Sequence, residues 1–133
     1  MKKISHVCLI DDDHIFVYGA KRVMRKMDFY EDLSVFSNGQ EALDHLKNMA
    51  QNGDDLPSLI FLDLNMPIMN GWEFLEELGN TPGFELNGVS IFIMSSSVDP
   101  RDLERIQQYP VVKNYVLKPM TMNDLENVRL QLS

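Results

Sequence analysis

The chain has 133 residues, 44% of them hydrophobic, and a formal net charge of −8. That length fits one ordinary domain, and the apolar share is enough for a core and too high for a disordered chain. The negative charge repels nucleic-acid phosphates and anionic membranes, so no nucleic-acid partner is expected, and no apolar stretch approaches the roughly 20 residues of a membrane helix.

At the N-terminus, MKKISHVCLIDDD holds two lysines and one short apolar run that charge closes at once, which is too little for a signal peptide. The expectation is a soluble, cytoplasmic protein. Cys8 is the single cysteine, so no internal disulfide is possible. Set among Val7, Leu9 and Ile10, it reads as a buried reduced thiol.

Val7–Ile10 is the first strand candidate, ended by Asp11, Asp12 and Asp13. From about Ile15 to Met27, Val17, Ala20, Val23, Met24 and Met27 recur at helical spacing. Leu33–Phe36 predicts a second strand, and Ser37, Asn38 and Gly39 open a helix to about Ala50 with Ala42, Leu43, Leu46 and Met49 on one face. Leu59–Leu62 is the third strand and stops at Asp63. Pro67, Asn70 and Gly71 mark a loop before a helix carrying Trp72, Phe74, Leu75 and Leu78.

Residues 79–88 form the longest loop. Val89–Met94 predicts a fourth strand ending in Ser95, Ser96 and Ser97. Asp99 and Pro100 then start a helix as N-cap and first-turn proline. Tyr115–Leu117 is the fifth strand, closed by Lys118 and Pro119. Thr121 or Asn123 caps a last helix whose apolar face is Leu125, Val128, Leu130 and Leu132.

The order is five strand-then-helix units. Continuous apolar strands between helices imply a parallel sheet covered on both faces, with right-handed crossovers. The predicted fold is α/β: a flavodoxin-like (βα)5, doubly wound five-stranded parallel sheet of order 2-1-3-4-5, with its ligand site beyond the strand C-termini. One domain over residues 1–133, with no output domain, is expected.

The residues that end the strands carry the functional reading. Asp11 and Asp12, Asp63, Ser95 and Lys118 end the first, third, fourth and fifth strands, and in a parallel sheet those ends share one edge. Carboxylates crowded there repel, and a bound cation relieves that cost. Mg²⁺ takes oxygen ligands, commonly one or two carboxylates with phosphate oxygens. Lys118 adds a compact positive charge and Ser95 a neutral hydroxyl, so the cleft suits a phosphoryl group. A carboxylate can attack phosphorus to give an aspartyl phosphate, and Asp63, central in the expected sheet, is the natural acceptor.

The segments CLIDDD, IFLDLNMPIMNGWEFL, IFIMSSS and YVLKPM together resemble the receiver domain of response regulators, the CheY-like family, in order and spacing over nearly the whole chain. The resemblance implies that Asp63 is the phosphoacceptor. It implies Mg²⁺ held by Asp12 directly, by Asp11 through water, by Asp63 and by the backbone carbonyl of Asn65. Ser95 becomes the switch hydroxyl, Lys118 the phosphoryl-pairing lysine and Tyr115 the rotating aromatic. It also implies a cis Lys118–Pro119 bond. Three departures stand out: Asn70 where aspartate is frequent, Ser95 where threonine is frequent, and Pro110 in a segment where the family carries small residues. None removes a group the chemistry needs.

Plainer roles are assigned to several neighbours. Asp13 reads as an N-cap, Ser96 and Ser97 as loop residues, His14 as exposed surface and the methionines as core. Ser97 could also influence water access to a phosphoryl group. Trp72 is expected near the acidic cleft.

The implied function is a stand-alone response regulator rather than an enzyme. It takes its phosphoryl group from a sensor histidine kinase or a histidine phosphotransfer protein. It signals to a downstream protein target, in chemotaxis or a phosphorelay, as a monomer or weak dimer. Two rival classes are weaker. An aspartyl-phosphate hydrolase of the haloacid-dehalogenase type needs a second aspartate two residues on, where Asn65 stands. A phosphorylation-independent interaction module has no need of Asp11, Asp12, Asp63, Ser95 and Lys118 together.

Overall fold

Strands and helices alternate along the chain in the computed structural model, which describes residues 3–66, 68–81, 88–97 and 99–132. In order they are β1 (Ile4–Ile10), α1 (His14–Lys26), β2 (Tyr30–Phe36), α2 (Gly39–Gln51), β3 (Leu59–Asp63), α3 (Gly71–Gly79), β4 (Ser90–Ser95), α4 (Pro100–Ile106), β5 (Val112–Leu117) and α5 (Met122–Leu132). The strands form one five-stranded sheet of order β2-β1-β3-β4-β5, and every neighbouring pair is parallel. This is the predicted flavodoxin-like arrangement. Pro67 and most of the predicted loop at 79–88, residues 82–87, lie outside the described residues.

Successive side chains of a strand point to opposite faces, so the unbroken apolar runs of β1 and β3 feed two cores at once. Cys8, Ile10, Ile60, Leu62, Ile91 and Ile93 pack against α2 and α3 on one face. Val7, Leu9, Leu59, Phe61, Phe92 and Met94 pack against α1 and α5 on the other. There Phe61 lies 6.4 Å from Phe29 and 6.3 Å from Phe92 between ring centroids, a spacing at which aromatic pairs attract beyond simple burial. The Cys8 thiol is wholly enclosed, and burial pushes its pKa up to about 12, so it stays protonated.

Helix starts follow local chemistry. Asp13, Asn38, Asn70 and Asp99 each accept backbone N–H bonds as N-caps of α1 to α4. At α5, Thr121 Oγ1 accepts from Asp124 N while Asp124 Oδ2 accepts from Thr121 N, a reciprocal box that makes Thr121 the cap rather than Asn123. Leu125 and Val128 are buried, whereas Leu130 is 70% exposed and lies off the face predicted for it.

The edge strands β2 and β5 both begin three residues before their apolar cores. Glu31, Asp32, Lys113 and Asn114 are exposed there, which hides the strand from an apolar count. β5 also carries a bulge. Ile91 pairs with Val112 but Phe92 pairs with Asn114, leaving Lys113 as the extra residue. Without it, Val112 and Tyr115 would face opposite sides; with it, both pack on the α2–α3 core. Pro110 precedes the strand in a turn where Val112 N bonds Tyr109 O at 2.9 Å.

Candidate functional site

Asp11 follows the end of β1, and Asp63 is the last residue of β3. Both carboxylates are buried, at 1% and 5% exposure, while Asp12 is exposed. Oxygens of Asp11, Asp12 and Asp63 all lie within 4.8 Å of one another. Lys118, just past β5, reaches into the group: Nζ is 2.7 Å from Asp11 Oδ2 and 3.5 Å from Asp63 Oδ1. The Lys118–Pro119 bond is cis, as the resemblance implies. Lys118 N also donates to Ser95 O at 2.8 Å, which ties the ends of β4 and β5 together.

The acidic end of β1 runs directly into α1. Asp13 N donates to Asp11 Oδ1 at 2.9 Å, and Asp13 Oδ1 accepts from Ile15 N and Phe16 N. Asp13 is therefore the cap predicted for it, and His14 is exposed. On β3, the loop after Asp63 is folded back by Gly71: a Cβ there would stand 2.7 Å from the Asp63 carbonyl oxygen and 2.9 Å from Leu64 Cα. Gly71 N donates to Leu64 O at 3.1 Å. Asn70 keeps the acceptor that an aspartate would supply, forming a capping box with Glu73. Asn65 is exposed beside the site and its N–H donates to Asp63 Oδ1 at 3.4 Å.

The electrostatics follow from this crowding. Burial, then the neighbouring Asp11 carboxylate, raises the Asp63 pKa to about 6 against the opposing pull of Lys118. Burial works against the Lys118 charge, but Asp11 and Asp63 outweigh it and hold the ammonium above its ordinary pKa. Three carboxylates facing one ammonium leave negative charge in excess. The donor set is all hard oxygen, so the cluster could hold a divalent cation of the Mg²⁺ kind.

Ser95 and Tyr115 form a separate group. Ser95 continues the face of Ile91 and Ile93, whereas Asp63 continues the face of Leu59 and Phe61, so the two approach each other only over the sheet edge. The Ser95 hydroxyl donates to Ser97 O and accepts from Ser97 N at 3.2 Å. With Tyr115, Ser95 lines a small cleft bounded by Leu64, Ile93, Leu103 and Ile106. The structure thus joins Asp11, Asp12, Asp63 and Lys118 directly and holds the serine and tyrosine beside α4.

Trp72 is not part of the acidic cluster. Its ring packs on Tyr109 at 5.9 Å and under the Arg105 guanidinium at 4.4 Å, while Tyr109 Oη donates to Glu76 at 2.7 Å. The expectation that it neighbours the carboxylates is corrected: the helical turn aims it across at α4. Phe16 was not singled out in the sequence, yet its ring lies 4.5 Å from Lys118 Nζ. Its one signal is position, in the first turn of the helix that the acidic pair opens.

A doubly wound parallel sheet with acids and a lysine converging past its C-terminal edge defines a receiver-type signalling domain. Residues 7–129 match the response regulator receiver domain model, and the chain belongs to that family, a module of two-component systems. The solved two component response regulator from Cytophaga hutchinsonii is similar at 33% identity and a TM-score of 0.89, with 98% of each chain covered. Among curated relatives, the "Probable methanogenesis regulatory protein FilR2" of Methanothrix harundinacea is 25% identical over 120 residues, 90% of this chain and 76% of that one. A protein-glutamate methylesterase/protein-glutamine glutaminase of Desulfotalea psychrophila is 34% identical over 80 residues, 60% of this chain and 20% of that protein. The likeness to the methylesterase is to a fifth of its length.

Proposed function

We propose that Asp63 accepts a phosphoryl group from the phosphohistidine of a sensor histidine kinase or a histidine phosphotransfer protein, and that the modified domain signals to another protein. The observation that carries this reading is the position of Lys118 Nζ between the buried carboxylates of Asp11 and Asp63. A cation held there has little structural purpose that an apolar pair would not serve better, since buried ion pairs seldom add net stability.

In the transfer, an Asp63 carboxylate oxygen attacks phosphorus. The new P–O bond forms as the P–N bond breaks, and its electron pair leaves on the donor imidazole nitrogen. Asp12 and Asp63, the Asn65 carbonyl and, through water, Asp11 are the groups that would hold Mg²⁺. When bound, the ion would neutralise the acid cluster and draw charge from the phosphoryl oxygens. Lys118 pairs with the phosphoryl group in place of the lost carboxylate charge. Ser95 leaves the Ser97 backbone to donate to a phosphoryl oxygen, and Tyr115 turns into the space beside it. The face of α4, β5 and α5 then shifts its population between two forms. Hydrolysis reverses the change: water attacks phosphorus and the aspartyl oxygen departs with the bonding pair.

The reading is of a cytoplasmic phosphoacceptor, a monomer or weak dimer. Incubation with acetyl phosphate and Mg²⁺ followed by intact-mass measurement tests it. An acid-labile phosphate adduct is expected in the wild type and is absent in Asp63→Asn. No adduct, or one that survives that substitution, overturns the reading.

A further inference from the structure

The Lys118 ammonium has three N–H donors. Its Nζ forms ion pairs with Asp11 Oδ2 at 2.7 Å and with Asp63 Oδ1 at 3.5 Å. On a further side stands an aromatic ring: Phe16, with its centroid 4.5 Å from Nζ. A cation within about 6 Å of a ring centroid is attracted by the ring's negative face. Phe16 is half-buried, and the Lys118 side chain is only 17% exposed, so this contact is partly shielded from water.

The ring is itself held by the acidic segment. Asp11 Oδ1 accepts from Asp13 N, Asp13 Oδ1 accepts from Phe16 N at 3.2 Å, the Phe16 ring meets Lys118, and Lys118 returns to Asp11 Oδ2. These four residues close a circuit. It joins the cap of α1 to the lysine after β5. Substituting an aliphatic side chain would keep bulk against the α1–α5 core but lose the charge-seeking face.

We propose that Phe16 is a positioning residue for Lys118, its ring confining the ammonium to the side of the cleft where Asp11 and Asp63 lie and so presenting it to the phosphoryl group. This rests on the phosphoacceptor reading of Asp63 for its consequence, but not for its geometry. The ring makes no bond to the reacting atoms. It acts by restricting where the flexible lysine stem can go, which a Coulomb contact to two carboxylates does not do alone.

Two measurements test it. The first uses metal-free protein with ¹³C-labelled lysine. The Lys118 Hε resonances should be displaced by the ring current in the wild type and in Phe16→Tyr, and should return towards ordinary lysine values in Phe16→Leu. The second follows the adduct from acetyl phosphate. At saturating Mg²⁺, Phe16→Leu should react about tenfold more slowly, the scale of one shielded cation–ring contact. Its half-maximal Mg²⁺ concentration should not change, and Phe16→Tyr should restore the rate. Undisplaced Lys118 resonances in the wild type, or a Phe16→Leu protein that reacts at the wild-type rate, overturn the proposal. If the wild type takes no adduct, the phosphoacceptor reading falls, and the resonances still decide whether Phe16 positions the lysine. The wild-type resonances decide it equally if Phe16→Leu does not fold.

Discussion

The Ser95 hydroxyl is bonded to both the carbonyl and the N–H of Ser97. The serine proposed above to read a phosphoryl group is thus engaged by its own loop, and that role would require it to give up those bonds. Ser95→Ala removes the proposed reader without changing the side chain of Asp63, Asp12 or Lys118. Its adduct rate should stay within about threefold of wild type, because no interaction with the attacking oxygen is lost. The change in Trp72 fluorescence on phosphorylation should largely vanish, since Trp72 packs against Arg105 of α4 and Tyr109 beyond it. A full fluorescence response in Ser95→Ala would break the link between serine and helix. For the same reason, Mg²⁺ alone should move Trp72 emission little.

Removing the lysine should cost stability in a way that metal repairs. In Lys118→Met the Asp11 carboxylate, whose side chain has no exposed surface, loses the ammonium at 2.7 Å. Breaking a buried pair by deleting one partner typically costs about 3 kcal/mol. Urea denaturation without Mg²⁺ should show a loss of that order, and millimolar Mg²⁺ should recover more in the variant than it adds to the wild type. Asp12→Ala, whose carboxylate is exposed, should lose most of the Mg²⁺ stabilisation while costing little by itself.

The Asp63 carboxyl titrates at about 6 in the folded protein against an ordinary 3.8. Below 3.8 it is protonated in both states. As pH rises towards 6 the unfolded chain gives up its proton first, so the folded state loses stability across that window and stays lower above it. Without metal, Asp63→Asn should therefore be more stable than wild type at pH 7, by on the order of 2 kcal/mol after allowing for screening, with the advantage fading towards pH 4. Denaturation midpoints across that range provide the measurement. Parallel pH profiles for the two proteins would contradict the raised titration.

Two glycines should respond with opposite signs. Gly71→Ala puts a methyl 2.7 Å from the Asp63 carbonyl oxygen, a backbone atom that cannot swing aside. A loss of about 1–3 kcal/mol is expected, with slower adduct formation, because the end of β3 that carries Asp63, or the loop after it, must shift. Gly19 lies within α1, where an added Cβ meets nothing within 4 Å. Gly19→Ala should gain about 0.5–1 kcal/mol from the lower cost of ordering the helix. Chemical denaturation of both variants checks the pair.

The elements whose cause is local were legible from the sequence. Asp13, Asn38 and Asp99 cap helices because their own side chains reach nearby N–H groups. The central strands show because Val7–Ile10 and Leu59–Leu62 are apolar on both faces. The strand ends then brought Asp11, Asp12, Asp63 and Lys118 to one edge by topology alone. What escaped depends on a neighbour the sequence does not place. The early starts of β2 and β5 come from pairing with β1 and β4, not from apolar content. Trp72 and Leu130 were given sides by periodicity, but their surroundings depend on where Tyr109, Arg105 and the sheet sit. The Ser95 rotamer and the Phe16–Lys118 contact are choices among side-chain directions, which spacing does not encode.

The extra residue at Lys113 turns the aim of Tyr115 into a matter of parity. One residue lost or gained between Val112 and Tyr115 would swing the aromatic ring through the sheet to the α1–α5 side, away from Ser95. Two would return it. Along this edge the length of the strand can drift only in even steps while Tyr115 keeps to the side of Ser95. A related chain that aligns here with a single-residue gap should carry its aromatic ring on the opposite side of the sheet, even where the tyrosine itself is retained.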